Sequence, residues 1–134
     1  MRTTKIVTSF LKDDDKFLLL KRSTKVKTMK GLWAGVSGII EKDEEPITRA
    51  KIEIFEELGI KEKQIKFLKG APKMNVNSPQ YENHEWVIFP FLFEAKNPII
   101  KLNWENSEYV WIKVDEIKNY ETVPSILKVL FSLL

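Results

Sequence analysis

Apolar and polar positions alternate with different periods along the chain, and each change of period marks an element. Ile6–Leu11 and Phe17–Lys21 are apolar, β-favouring runs parted by the turn signal Asp13-Asp14-Asp15, and they predict a hairpin. Ser23–Lys30 is polar and basic and reads as a loop. Leu32–Ile40 (LWAGVSGII) reads as a strand interrupted by two glycines, Gly35 and Gly38. The period then turns helical: Ile47, Ala50, Ile54 and Leu58 fall on one face and form a stripe fit for burial. Pro46 suits the first turn of that helix, where its missing N–H costs nothing, and Gly59 suits a left-handed stop. Further strands are predicted around Ile65–Lys69, Trp86–Phe93 and Tyr109–Val114, and two short helices over Asp115–Tyr120 and Val123–Leu133. Pro72–Glu85, with Asn75, Asn77, Ser78 and Pro79, reads as a long polar loop of the kind that often carries function. Strands interleaved irregularly with helices predict an α/β or α+β sandwich around a mixed sheet. No repeat, low-complexity tract or linker interrupts the 134 residues, so one domain over 1–134 is expected.

Composition narrows the classes. With 43% hydrophobic and 31% charged residues the chain is globular, and it is long enough to bury a core without staples. It has no Cys, which excludes disulfides, thiolate zinc sites and cysteine nucleophiles and is compatible with a reducing cytosol. A net charge of +3, with lysines scattered, gives a weak attraction for anionic ligands but no dedicated surface for long nucleic acid. The polar start Met1-Arg2-Thr3-Thr4-Lys5 lacks the apolar run of a signal peptide. Val123–Leu134 is too short to span a bilayer and reads as an amphipathic core helix. A cytoplasmic location without membrane contact is the expectation.

The chemistry concentrates at Glu53, Glu56 and Glu57, which lie at i, i+3 and i+4 and share one side of the predicted helix. Three like charges so close destabilise a helix unless something neutralises them. Mg²⁺ would: it is a hard ion, prefers carboxylate oxygen and keeps positions open for water and phosphates. A metal held this way neutralises phosphate charge, orients a diphosphate and acidifies water, and a spare carboxylate can serve as base. The plain alternative is a solvated acidic face.

The surrounding residues bear on that choice. From Gly38 to Ile60 the chain reads GIIEKDEEPITRAKIEIFEELGI, with Glu44, Glu53, Glu56, Glu57 and Gly59 at fixed offsets. This resembles the Nudix box, a glycine–loop–helix–loop signature over residues 38–60, and matches eight of its nine specified positions. The departure is Ile52, where the pattern has an arginine expected to pair with a box carboxylate and orient it. Arg49 and Lys51 are the nearby cations able to substitute. Outside the box, KFLLLKRS (Lys16–Ser23), GLWAGVSG (Gly31–Gly38) and NWENSEYVW (Asn103–Trp111) also resemble family segments, with Asn106 where nucleotide-directed members have His. The resemblance implies a Nudix-type α/β/α sandwich with a mixed β-sheet.

It also implies roles. Glu53, Glu56 and Glu57 would form the metal-binding face for Mg²⁺, with Mn²⁺ as a substitute, and the Gly38 carbonyl would add an oxygen. Glu44 would steady the loop before the helix, and with Arg22 and Trp33 it is a candidate for substrate contact. The general base would be Glu53 or Glu105, with Glu82, Glu85 and the lone His84 as weaker candidates. Arg22 could reach a phosphate through bidentate bonds. Trp33, Tyr81, Trp86, Trp104 and Trp111 are candidate stacking platforms, although core packing explains each of them as well.

The activity implied is Mg²⁺-dependent hydrolysis of a nucleoside diphosphate linked to another moiety, foremost a (deoxy)nucleoside triphosphate cleaved to monophosphate and pyrophosphate. Dinucleoside polyphosphates, ADP-ribose and capped RNA are rival substrates, and a non-catalytic nucleotide-sensing module is the rival class. A family isomerase would need a catalytic Cys, which the chain lacks. A homodimer is compatible with the apolar C-terminal helix, and core burial explains that helix equally well.

Overall fold

The computed structural model describes residues 2–77 and 83–134. Its strands are β1 (Arg2–Asp13), β2 (Lys16–Arg22), β3 (Trp33–Ala34), β4 (Val36–Ile39), β5 (Lys66–Gly70), β6 (Met74–Asn77), β7 (His84–Glu94) and β8 (Asn106–Ile112). Its helices are α1 (Pro46–Leu58) and α2 (Ile126–Ser132). The strands join in one mixed sheet with the central order β3-β2-β1-β7-β5, while β4 also pairs with β1, β6 with β7 and β8 with β2. β1 and β7 run parallel along their whole length, from Arg2 opposite His84 to Lys12 opposite Glu94.

The expected hairpin is present only at its base. β1 and β2 pair at Lys12–Phe17 and Asp13–Lys16, and Asp14 takes φ 56° in the turn. Beyond that, Ile6–Ser9 of β1 pair with Val36–Ile39, whereas β2 pairs with β8. This divergence lets β4 lie beside β1 and brings the end of β4 to the start of α1.

Both faces of the sheet are covered, so the central strands read as continuous apolar runs rather than alternating ones. On one face Val7, Leu11, Leu18, Leu20 and Phe93 pack against Ala50, Ile54 and Leu58 of α1. On the other, Phe10, Phe17, Leu19, Ile88 and Leu92 pack against Ile126, Val129 and Leu130 of α2. The α/β/α sandwich follows from two interleaved period-2 patterns on the same strands. Burying Ile54 and Leu58, both fully inaccessible, contributes about 1.5–3 kcal/mol each.

The ends of α1 are as the sequence predicts. Pro46 opens the first turn, and Gly59 adopts φ 72°, its N–H donating to the Phe55 carbonyl at 2.8 Å. The Leu58 carbonyl is satisfied from outside the helix by the Lys101 N–H at 2.9 Å.

Three expectations are corrected. Leu32–Ile40 is two short strands, because the chain leaves β2 at Ala34 and joins β1 at Val36. Residues 72–85 are not one loop: Met74–Asn77 form β6, antiparallel to β7, which itself starts at His84. Met74 and Val76 pack on the core while Asn75 and Asn77 face away, so an alternating strand hides behind poor strand formers. The first C-terminal helical segment is a 3₁₀ turn over Val114–Asn119. Tyr81 and Glu82 lie outside the described residues. Among the described residues no helix is long and apolar enough to cross a membrane.

Candidate active site

The geometry of α1 sorts its glutamates. At about 100° per residue, Glu57 lies roughly 60° from the centre of the buried stripe at Ile54, Glu53 roughly 100° and Glu56 roughly 160°. Burial follows that order: Glu57 is 4% exposed, Glu53 8%, and Glu56 faces solvent. The three helix glutamates are therefore not placed alike. Glu53 and Glu57 converge with Glu105, which precedes β8, and one oxygen from each lies within 4.8 Å of the others.

Each member of this trio is held by polar neighbours. Glu57 Oε1 accepts a hydrogen bond from Asn106 Nδ2 at 3.1 Å. Glu105 Oε1 accepts from Asn103 Nδ2 at 3.1 Å, and the Glu105 N–H donates to Asn103 Oδ1 at 3.0 Å. The segment is pinned to the end of β2, where the Ser23 hydroxyl donates to the Trp104 carbonyl and the Ser23 N–H to the Glu105 carbonyl. Glu53 Oε2 accepts from Arg49 Nη1 at 3.0 Å. Gly38 lies directly beneath Glu53: a Cβ at 38 would collide with Glu53 Cγ and Cδ and come within 2.5 Å of Oε2. The glycine is thus required by close approach of the carboxylate.

Burial pushes the Glu57 carboxyl well above the usual range, and the charges of Glu105 and Glu53 add to it. Burial likewise raises Glu53, with Arg49 opposing and Glu56 reinforcing the rise. Glu57 Oε2 is buried without a hydrogen-bond donor among the described residues. Two buried carboxyls that resist ionisation, Glu53 and Glu57, with a third carboxylate beside them and one Glu57 oxygen unsatisfied, fit a divalent cation: the cation would offset the repulsion and coordinate the orphan oxygen.

Beside the trio opens a cavity of about 500 Å³. Its charged wall carries Arg22, Arg49, Glu53, Glu56 and Glu105, and its apolar wall carries Ile6, Ala34, Val76, Trp86, Ile88 and Ile126. The buried Thr8 and the half-buried Ser37, hydroxyl to hydroxyl at 3.0 Å, also line it. Arg22 donates through Nε and Nη2 to the Thr28 carbonyl, at 3.2 and 3.1 Å, and burial lowers its pKa while Glu57 and Glu105 raise it.

Other sequence candidates sit elsewhere. Trp33 packs edge-on against Tyr120 at 5.2 Å, in the core cluster of α2. Trp111 packs in the α1 cluster. Neither lines the cavity, whereas Trp86 and the 60% exposed Trp104 do. His84 contacts Thr4 Oγ1 at 2.7 Å and stacks on Trp86 at 4.8 Å. Glu85 sits in β7 opposite Thr3. Glu44 is not on the cavity wall; it receives the fork of Arg49, Nε to Oε1 at 2.8 Å and Nη2 to Oε2 at 2.9 Å, which lowers its pKa. Sequence reasoning assigned no part to Asn103, Ser23 or Asn106. Their only signal was the substitution of Asn106 for a family His, which gave no direction for its side chain.

Residues 2–133 match the family model described as NUDIX domain. No curated protein matches the chain in sequence. Among solved structures, the MutT protein from Methanosarcina mazei Go1 is similar with a TM-score of 0.77 and 24% identity, over 97% of this chain and 91% of that one. The MutT NUDIX hydrolase from Burkholderia pseudomallei has a TM-score of 0.74 and 18% identity, with 100% of both chains covered. A C. elegans Ap4A hydrolase in a binary complex has a TM-score of 0.74 and 16% identity, over 98% and 94%. At these identities the likeness is one of fold.

Proposed function

We propose an activity from one premise: this chain belongs to the Nudix family, whose hydrolases act on nucleoside diphosphate derivatives with a divalent metal. The reaction is hydrolysis of a (deoxy)nucleoside triphosphate to the monophosphate and pyrophosphate, in a single domain over 1–134. The observation that carries this reading is the convergence of Glu53, Glu57 and Glu105 beside a cavity with one charged and one apolar wall.

In this reading Glu53, Glu57 and Glu105 would hold Mg²⁺, or Mn²⁺ in its place, with the Gly38 carbonyl as a further oxygen. A cation there would supply charge neutralisation for a diphosphate and Lewis acidity. Glu56, on the cavity wall but outside the trio, takes the proton from the attacking water. The water oxygen bonds to phosphorus, the bond to the bridging oxygen breaks, and pyrophosphate leaves with the electron pair. Arg22 turns its charge toward the phosphates. Ile6, Val76, Trp86 and Ile88 shield the base and sugar from water, and Trp104 offers a face for stacking. A single apolar wall in a cavity of about 500 Å³ favours one nucleoside over the two of a dinucleoside polyphosphate.

The test is turnover of a nucleotide panel: the common and oxidised triphosphates, diadenosine polyphosphates and ADP-ribose, each with Mg²⁺ and with EDTA. Pyrophosphate released from one triphosphate class only with metal is the expected result. Glu57→Gln is expected to lower kcat/KM by roughly two orders of magnitude or more, because a lost ligand forfeits several kcal/mol of charge stabilisation. Turnover unchanged by EDTA or by Glu57→Gln would refute the assignment.

A further inference from the structure

We propose that Arg49 is the positioning residue of the metal-binding carboxylate Glu53, taking over from the helix position one turn onward the task that Ile52 cannot perform. The inference rests on the reading of Glu53, Glu57 and Glu105 as a metal site and adds to it how that site is held in shape in this chain.

Arg49 spans two carboxylates at once. Nε and Nη2 grip Glu44 at 2.8 and 2.9 Å, while Nη1 reaches Glu53 Oε2 at 3.0 Å. All three side chains are shielded, at 13%, 15% and 11% exposure, so the pairs are little weakened by solvent. Glu44 is itself fixed to the loop, accepting from the Glu41 N–H at 3.0 Å. The guanidinium therefore links the turn before α1 to the carboxylate that faces Gly38, and fixing one oxygen of Glu53 sets the direction of the other. Position 49 reaches this place because it lies about 140° from the buried stripe on the same side as Glu53, at about 100° per residue. Lys51, the other nearby cation, is engaged elsewhere, with Glu62 at 2.9 Å.

Two effects of Arg49 on a bound cation oppose each other. Its charge repels the cation, whereas its fork holds Glu53 ready for it. The geometry, with three short hydrogen bonds to two carboxylates, makes the fork the larger effect. Lysine would keep the charge but not the fork, because an ammonium is a point charge on a flexible stem.

The experiment is direct titration with Mn²⁺ alone, followed by electron paramagnetic resonance, on the unaltered protein, Arg49→Lys and Arg49→Ala, with melting curves to establish that each is folded. Both variants are expected to bind Mn²⁺ about tenfold more weakly or worse, the usual consequence of losing a partner that orients a ligand. Arg49→Ala binding as tightly as the unaltered protein, or tighter, would mean that charge alone matters and would overturn the proposal. So would wild-type affinity in Arg49→Lys, the variant that keeps the ion pair if Arg49→Ala does not fold. Failure of the unaltered protein to bind Mn²⁺ would sink the metal site itself, and this inference with it.

Discussion

Asn106 Nδ2 donates to Glu57 Oε1 across 3.1 Å, tying β8 to the most buried glutamate of α1. Both residues are buried, and the partner oxygen Oε2 has no donor of its own among the described residues. Asn106→Leu would leave both oxygens of Glu57 without a hydrogen bond, at a cost of about 1–3 kcal/mol in stability. The Mg²⁺ concentration for half-maximal activity is expected to rise roughly tenfold, since Glu57 would lose the partner that orients it. An unchanged Mg²⁺ requirement would show that Asn106 serves only the packing of β8.

Without a bound metal, stability depends on pH in a defined direction. Glu57 and Glu53 have carboxyl pKa values raised in the folded protein, chiefly by burial. Between the unfolded and folded values the native state holds more protons, so stability falls as pH rises. The contribution is fully present below about pH 4.3, the unfolded value, and is lost as pH climbs through the raised folded values. Glu44 works oppositely: its lowered pKa makes its contribution disappear only as pH falls below the ordinary carboxylate range. In EDTA, Tm is thus expected to decline from about pH 5 upward. Ionising a carboxyl held up by a single pH unit costs about 1.4 kcal/mol, or on the order of 4 °C in a chain of this size. Glu57→Gln should flatten the decline, and saturating Mg²⁺ should reverse it by displacing the protons. A Tm in EDTA that rises over the same range would refute the raised carboxyls.

The helix and its acids were legible because a local pattern governs them. Pro46, Gly59 and the stripe Ala50, Ile54, Leu58 fix where α1 starts, stops and faces, and Glu53 and Glu57 follow from that. The separate place of Glu56 was within reach of the same arithmetic, since it lies farthest round the helix from the stripe. Glu105 meets Glu53 and Glu57 only through tertiary pairing of β8 with β2, so its neighbours Asn103, Asn106 and Ser23 could not be read from spacing. Trp33 shows the converse. An aromatic beside the box suits a substrate platform by type, yet its strand places it against Tyr120. β6 was lost because Asn75 and Asn77 masked the alternation of Met74 and Val76.

Gly38 and Glu53 give a local test of the cluster. Gly38 has no positive φ, so alanine is tolerated by the backbone, but its Cβ would fall on the Glu53 side chain. Glu53 is the flexible partner and would move, leaving β4 and the α1 core in place. Gly38→Ala is therefore expected to keep its circular dichroism and lie within a few degrees of the wild-type Tm, consistent with about 1 kcal/mol of change. Mg²⁺ affinity is expected to fall roughly tenfold or more with the displaced ligand. Wild-type Mg²⁺ dependence in this variant would mean that Glu53 is not a ligand in the position the structure gives it.

A substitution at Trp104 tests the proposed substrate recognition apart from the proposed metal site. It is 60% exposed and lines the cavity, so it contributes little to the core. Its carbonyl, not its ring, holds the segment to Ser23, and Asn103 holds Glu105 independently. Trp104→Ala would consequently leave the trio of carboxylates in place. Stacking of a base on an aromatic ring is worth about 1–3 kcal/mol, so KM is expected to rise about tenfold while kcat stays within about twofold. Trp104→Phe, which keeps a smaller ring, should fall between the two. Steady-state kinetics with the preferred nucleotide would decide it. A fall in kcat with a raised Mg²⁺ requirement would instead place Trp104 among the supports of Glu105. Unaltered KM and kcat would move the nucleobase to the Trp86 and Ile88 wall of the cavity.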